Sequence, residues 1–68
     1  MMIVGHYATL RVFVAAVLIR KRGIDVSLVL PMPELGRAYE ECWGTRVSLY
    51  GWIDRGDNVI RFIGPEVA

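Results

Sequence analysis

The sequence predicts one small α+β domain, in which two β-hairpins are joined by one short helix in the order ββαββ. The helix is expected to pack on one face of a four-stranded antiparallel sheet. Three observations support this prediction: two polar turns that end in glycine, apolar segments rich in β-branched residues, and a single helical stripe between them. The domain is expected to cover residues 1–68, with 1–7 as an N-terminal segment and 64–68 as a frayed tail.

The first hairpin is predicted from residues 9–19 and 24–30. The earlier segment is rich in Val and Ile, whose branched side chains fit a pleated sheet. The later segment alternates, so that Ile24, Val26 and Leu28 share one face, which is the period of a strand. Between them, residues 20–23 read Arg-Lys-Arg-Gly, a composition typical of a hairpin turn that ends in a left-handed residue.

A second interpretation of this region is a βαβ-type start. Residues 7–22 would then form a buried helix that ends at Gly23 and leads into a parallel strand. Periodicity alone does not separate the two, because the run from Val12 to Ile19 is apolar at every position.

The central helix is predicted from its flanking residues and its stripe. Pro33 suits the first turn of a helix, where its missing N–H is not needed, and Gly44 suits the end. Between them the apolar residues recur at helical spacing: Leu35, Ala38, Tyr39, Cys42 and Trp43.

The second hairpin is predicted from residues 45–53 and 58–63, with the turn Asp-Arg-Gly-Asp at 54–57 and an end at Gly64-Pro65. The period of two divides the first of these strands into two faces. One face carries Val47, Leu49 and Ile53, and the other carries Arg46, Ser48, Tyr50 and Trp52.

The predicted strands are apolar on both faces, whereas one short helix can cover only one face of the sheet. The chain is also small, and its single cysteine cannot form an internal disulfide, which leaves association as the remaining stabiliser. We therefore expect a homodimer or a larger protein partner.

The sequence contains no pattern typical of a catalytic or metal site. His6 is the sole histidine, Cys42 falls on the apolar helical stripe, and Asp54 and Asp57 belong to a turn. The seven glycines form no phosphate-binding loop. We expect no enzyme activity, no cofactor and no metal.

The predicted partner-binding residues are Arg46, Tyr50 and Trp52, because these residue types are common binding hot spots. The turn residues Arg20, Lys21 and Arg22 are expected at the rim. These features predict a non-catalytic interaction protein, such as an oligomeric adaptor, an accessory subunit or a phage-type inhibitor of a larger complex.

The alternative prediction is a small nucleic-acid-binding protein. Its aromatic side chains would stack on bases while arginines neutralise phosphates. The formal net charge of +1 argues against strong nonspecific binding to DNA. The apolar stretch 3–19 contains His6 and Arg11 and is too short for a spanning helix, so we expect a cytoplasmic protein with no membrane anchor.

Overall fold

The computed structural model describes residues 1–5 and 10–68, and over these ranges the chain forms one mixed sheet with helices on one side. The elements are β1 (Met2–Val4), α1 (Leu10–Lys21), β2 (Ser27–Pro31), a 3₁₀ turn (Met32–Glu34), α2 (Leu35–Glu41), β3 (Ser48–Asp54) and β4 (Ile60–Val67). The strands lie in the order β1-β2-β3-β4. β2 is parallel to both β1 and β3, whereas β4 is antiparallel to β3. The α+β class is confirmed, but the ββαββ order and the fully antiparallel sheet are wrong.

The largest correction concerns residues 9–19, which were predicted to be a strand. Residues 10–21 form α1, and the βαβ-type alternative is the correct one for the described part of the chain. Phe13 and Ala16 are buried against the sheet, and this packing outweighs the weak preference of Val and Ile for strands. The short strand β1 lies inside the segment expected to precede the first element, and Gly5 continues its pairing by donating to Val29 O at 2.9 Å.

Gly23 has the left-handed conformation that its position suggested, with φ of 83°, but it ends a helix and not a hairpin. Its N–H donates to Arg20 O at 3.0 Å, and the N–H of Arg22 donates to Ile19 O at 3.1 Å. A glycine after polar residues satisfies the last carbonyls of a helix as well as it closes a hairpin. The same local signal therefore fits both interpretations of residues 20–23.

The central helix is confirmed as α2. Pro33 lies in the 3₁₀ turn that precedes it, and Leu35, Ala38 and Cys42 are buried. Trp43 departs from the predicted stripe, since 68% of it is exposed. The helix ends at Glu41, so Trp43 lies past its last turn, where its ring contacts Tyr39 edge to face with the centroids 5.3 Å apart.

The second hairpin is confirmed as the antiparallel pair β3 and β4, with different limits. Residues 64–67 were expected in a frayed tail but belong to β4, and the N–H of Ala68 donates to Val47 O at 3.0 Å. The register shifts between Leu49 and Gly51, opposite Gly64 and Pro65. This bulge allows pairing to resume beyond a proline that would otherwise end the strand.

The core lies between the helices and one face of the sheet. Successive parallel strands added in one direction place their crossover helices on the same side, because such crossovers share one hand. The buried residues of this core are Phe13, Ala16, Val26, Leu28, Leu30, Leu35, Ala38, Cys42, Val47 and Leu49. Within the described ranges, no element covers the opposite face of the sheet. In the same ranges, no helix has the length and apolar character needed to cross a membrane.

Candidate functional site

The uncovered side of the sheet, which we call the open face, carries a groove of about 630 Å³. The strand register brings its residues side by side. Val4 is opposite Val29, Val29 is opposite Tyr50, and Trp52 is opposite Phe62. The groove is lined by Met2, Val4, Val29, Tyr50, Trp52, Ile60 and Phe62.

The groove is a trough with a buried floor and an exposed rim on each edge strand. Val29 forms the floor, with 7% of it exposed. The rim on β1 carries Val4, 64% exposed, and the rim on β4 carries Phe62, 65% exposed. Because the trough crosses all the strands from β1 to β4, it is about 14 Å wide at the usual spacing between strands. This is wide enough to receive protein side chains or a helix.

Alternation along each strand explains why these residues share the open face. In β2, Leu28 and Leu30 face the helices, so Val29 faces the other way. In β3, Leu49 and Gly51 are buried toward the helices, which turns Tyr50 and Trp52 to the open face. The alternation that the sequence predicts within residues 45–53 is therefore found in β3.

None of the described residues that line the groove carries a charge, and Asp54, opposite Ile60, places a carboxylate on the same face at the exposed end of β3. On β4 the charged Arg61 is opposite Ile53 and Glu66 is opposite Leu49, so both belong to the face that bears the helices. The groove lining includes the Tyr50 hydroxyl and the Trp52 indole N–H as its side-chain hydrogen-bonding groups. Such a surface can bury apolar area against the apolar surface of a partner.

The structure brings together only part of the predicted partner-binding set. Tyr50 and Trp52 line the groove, but Arg46 precedes β3 with φ of 64° and does not line it. The N–H of Arg46 donates to Ala68 O at 2.9 Å. Residues 20–22 lie at the C-terminal end of α1 and also do not line the groove. The predicted aromatic residues therefore line the groove, whereas the predicted basic residues lie outside it.

The sequence analysis did not predict the groove residues that lie on the two edge strands β1 and β4. Ile60 and Phe62 alternate on β4 and could have been assigned to the face of Trp52 from a correct hairpin register. Met2 and Val4 could not have been assigned in this way. A strand of three residues is too short for its alternation to stand out.

The other candidates for chemistry have structural roles or lie outside the described residues. Cys42 is fully buried, and burial, followed by the nearby Glu41 carboxylate, raises the pKa of its thiol. Asp54 accepts a hydrogen bond from Gly56 N–H at 2.9 Å, and Asp57 accepts one from Val59 N–H at 3.1 Å. The described ranges contain no cluster of residues suited to bind a metal. His6 lies outside the described residues.

Comparisons of the chain with protein-family models, with curated proteins and with solved structures found no match. The geometry of the open face is therefore the basis for assigning a function. Among the described residues, this face combines a groove of about 630 Å³ with a lining made of apolar and aromatic side chains.

Proposed function

We propose that the protein acts without catalysis, as an interaction protein that binds the apolar surface of another protein chain through its open face. The observation that supports this proposal most directly is the uncovered apolar trough across all the described strands. Sheets with parallel strands are normally covered on both faces. A protein partner would supply the missing cover, as expected for an adaptor, an accessory subunit or an inhibitor of a larger complex.

The amount of exposed surface supports the same proposal. The most exposed apolar residues of the open face are Met2, Val4, Ile60, Phe62 and Val67. Together they present roughly 600 Å², at the upper end for a single patch on a monomer.

The aromatic residues of the open face are suitable anchors. Tyr50 and Trp52 are half-buried in the trough, and Phe62 rises from its rim. Aromatic side chains bury large areas and lose little conformational freedom when a partner covers them. We expect the association energy to concentrate on these three residues.

Nucleic-acid binding is supported less well. Stacking on Tyr50 and Trp52 would require basic residues nearby to neutralise phosphates, and the described lining of the groove has none. If this alternative holds, affinity falls steeply with salt, and changing Arg20 and Lys21 together to Ala weakens binding to every nucleic-acid sequence alike. Binding that is insensitive to salt favours the protein partner.

The two tryptophans provide a matched test. Trp52 lies on the open face and Trp43 lies beyond the end of α2, where it is exposed. Changing Trp52 to Ala is expected to weaken association by about 2 kcal/mol or more, as for a hot spot. Trp43→Ala is expected to leave association unchanged.

Association can be followed by sedimentation velocity of the full chain, alone and mixed with an extract of its native host. Loss of the associated species in Trp52→Ala but not in Trp43→Ala supports the proposal. Equal association of both variants contradicts it. A wild-type chain that forms no complex in either experiment contradicts it as well.

A further inference from the structure

We infer that the open face binds a second copy of this chain, and that the two sheets pack face to face about a twofold axis. This inference rests on the proposed function and names the partner. It is based on three properties of the open face: its charge, its area and its shape.

The charge of the open face favours a second copy. In a twofold dimer each patch meets itself, so a charged patch would place like charges opposite each other. The described residues that line the groove are all uncharged, and Arg61 and Glu66 of β4 belong to the other face of the sheet. Asp54, opposite Ile60, is on the same face but at the exposed end of β3, so two copies can pair their grooves without repulsion inside them and without burying an unpaired charge there.

The available area also suits a dimer. Two open faces would bury roughly 1,200 Å² of mainly apolar surface in total, which reaches the lower limit for a specific protein interface. Self-association would thus remove from water the five exposed residues that the chain cannot cover itself. These residues are Met2, Val4, Ile60, Phe62 and Val67.

The shape of the open face is complementary to itself when the two copies are offset. Each copy has a groove with Val29, which is buried, on the inner strand β2 and Phe62, which is exposed, on the edge strand β4. An offset places the rim of one copy over the floor of the other, at the usual separation of about 10 Å between packed sheets. Tyr50 and Trp52 would then lie near the centre of the interface, where water is excluded most completely.

A competing assembly would use the outer side of α1, where the exposed side chains Leu10, Val14 and Leu18 border a shallow groove and form what we call the α1 patch. The α1 patch could contact the trough of the next copy. The α1 patch and the trough lie on opposite sides of the sheet, so such contacts would extend head to tail without closing. They would also bury less, roughly 900 Å² in total, which is below the range for stable interfaces. The closed sheet-to-sheet dimer is therefore favoured.

The test measures the mass of the full chain by size-exclusion chromatography with light scattering, across a series of micromolar concentrations. Phe62→Glu places a charge on the rim of the trough, and Leu18→Glu places one on the α1 patch as a matched control. These two positions are 65% and 54% exposed. Met2→Glu, at the opposite rim, repeats the test without altering the β3–β4 hairpin, and circular dichroism checks that each variant is folded.

We expect the wild type and Leu18→Glu to have the mass of two chains, and Phe62→Glu and Met2→Glu to have the mass of one. Trp52→Ala should raise the dimer dissociation constant by about 30-fold or more. Loss of the dimer in Leu18→Glu, or a mass that keeps growing with concentration, would overturn the inference in favour of head-to-tail assembly.

A single-chain mass at high micromolar concentration would also overturn the inference. The proposed function still stands in that case if the chain forms a complex with another protein that Trp52→Ala removes. It fails too if no such complex forms.

Discussion

At the scale of single residues, Gly51 sets how closely the segment before α2 approaches the sheet. A Cβ atom on Gly51 would lie 3.0 Å from Met32 Sδ and 3.4 Å from Leu35 Cδ2. Gly51 is buried in β3 on the side of the helices. A side chain here would push the 3₁₀ turn and α2 away from the core.

We predict that Gly51→Ala lowers the free energy of unfolding by about 1–3 kcal/mol, because it overpacks a filled site. Gly36 is the matched control, since a Cβ there meets nothing within 4 Å. Gly36→Ala is expected to stabilise α2 by up to about 1 kcal/mol. Urea unfolding at one fixed protein concentration measures both, and equal effects of the two changes would contradict this account of Gly51.

The burial of Cys42 is expected to make the stability of the protein depend on pH. Burial, with a smaller contribution from Glu41, raises the pKa of its thiol above the ordinary 9.0. The folded protein thus holds this proton more tightly than the unfolded chain does. The contribution of the protonated Cys42 thiol to the free energy of unfolding is therefore complete below the pKa of Cys42 in the unfolded chain. It is lost as pH rises through the pKa of Cys42 in the folded protein.

We predict that the free energy of unfolding of the wild type falls above about pH 9, whereas that of Cys42→Ala falls less over the same range. At neutral pH the variant should be less stable, because it leaves a cavity at a fully buried site. Chemical denaturation at several alkaline pH values measures the difference between the two proteins. A difference that does not change with pH would exclude titration of Cys42 as its source.

At the scale of elements, α1 shows why the first half of the chain is ambiguous. Its buried residues are Phe13 and Ala16, but Leu10, Val14 and Leu18 are apolar and exposed. A helix that is apolar on both sides has no polar face to mark its period, so its sequence resembles a buried strand. By contrast, α2 has charged residues on its exposed side and could be assigned from its stripe.

The β3–β4 hairpin depends on local hydrogen bonds in its turn. Asp57 accepts a hydrogen bond from Val59 N–H at 3.1 Å, and its carboxylate lies 3.9 Å from the Arg61 guanidinium. Both groups of the ion pair are half-exposed, so the pair contributes little to stability. The hydrogen bond to the backbone is expected to matter more.

We therefore predict that Asp57→Ala lowers the free energy of unfolding by about 1 kcal/mol, because it removes the bond to Val59 N–H. Asp57→Asn keeps a side-chain oxygen for that bond and loses the ion pair, so a change within about 0.5 kcal/mol is expected. Thermal or urea unfolding compares them. If Asn is as costly as Ala, the ion pair and not the turn hydrogen bond is the main contribution.

At the scale of the whole molecule, the strand order determines which surface is left open. β1, β2 and β3 are added in one direction, and α1 and α2 consequently share a side. The predicted antiparallel sheet of two hairpins would also have one uncovered face, so the need for a partner follows from either strand order. The strand order does decide which residues lie on the uncovered face.

A dimer formed through the open face makes stability depend on concentration. We predict that the Tm of the wild type rises with protein concentration, because association stabilises the folded chain by mass action. The Tm of Phe62→Glu is expected to stay constant. Scanning calorimetry over a concentration series measures both, and a constant Tm for the wild type would argue against a dimer that forms on folding.

The sequence by itself determined the local features: the helix α2, the hairpin of β3 and β4, the left-handed Gly23 and the shared face of Tyr50 and Trp52. These follow from turn chemistry and from periods of two or 3.6 residues within one segment. Only the tertiary structure decided that residues 10–21 are helical, that β1 pairs in parallel with β2, and that Arg46 and residues 20–22 lie away from the groove. The physical reason is that an all-apolar segment buries well as either a helix or a strand, and contacts with residues distant in the sequence select between them.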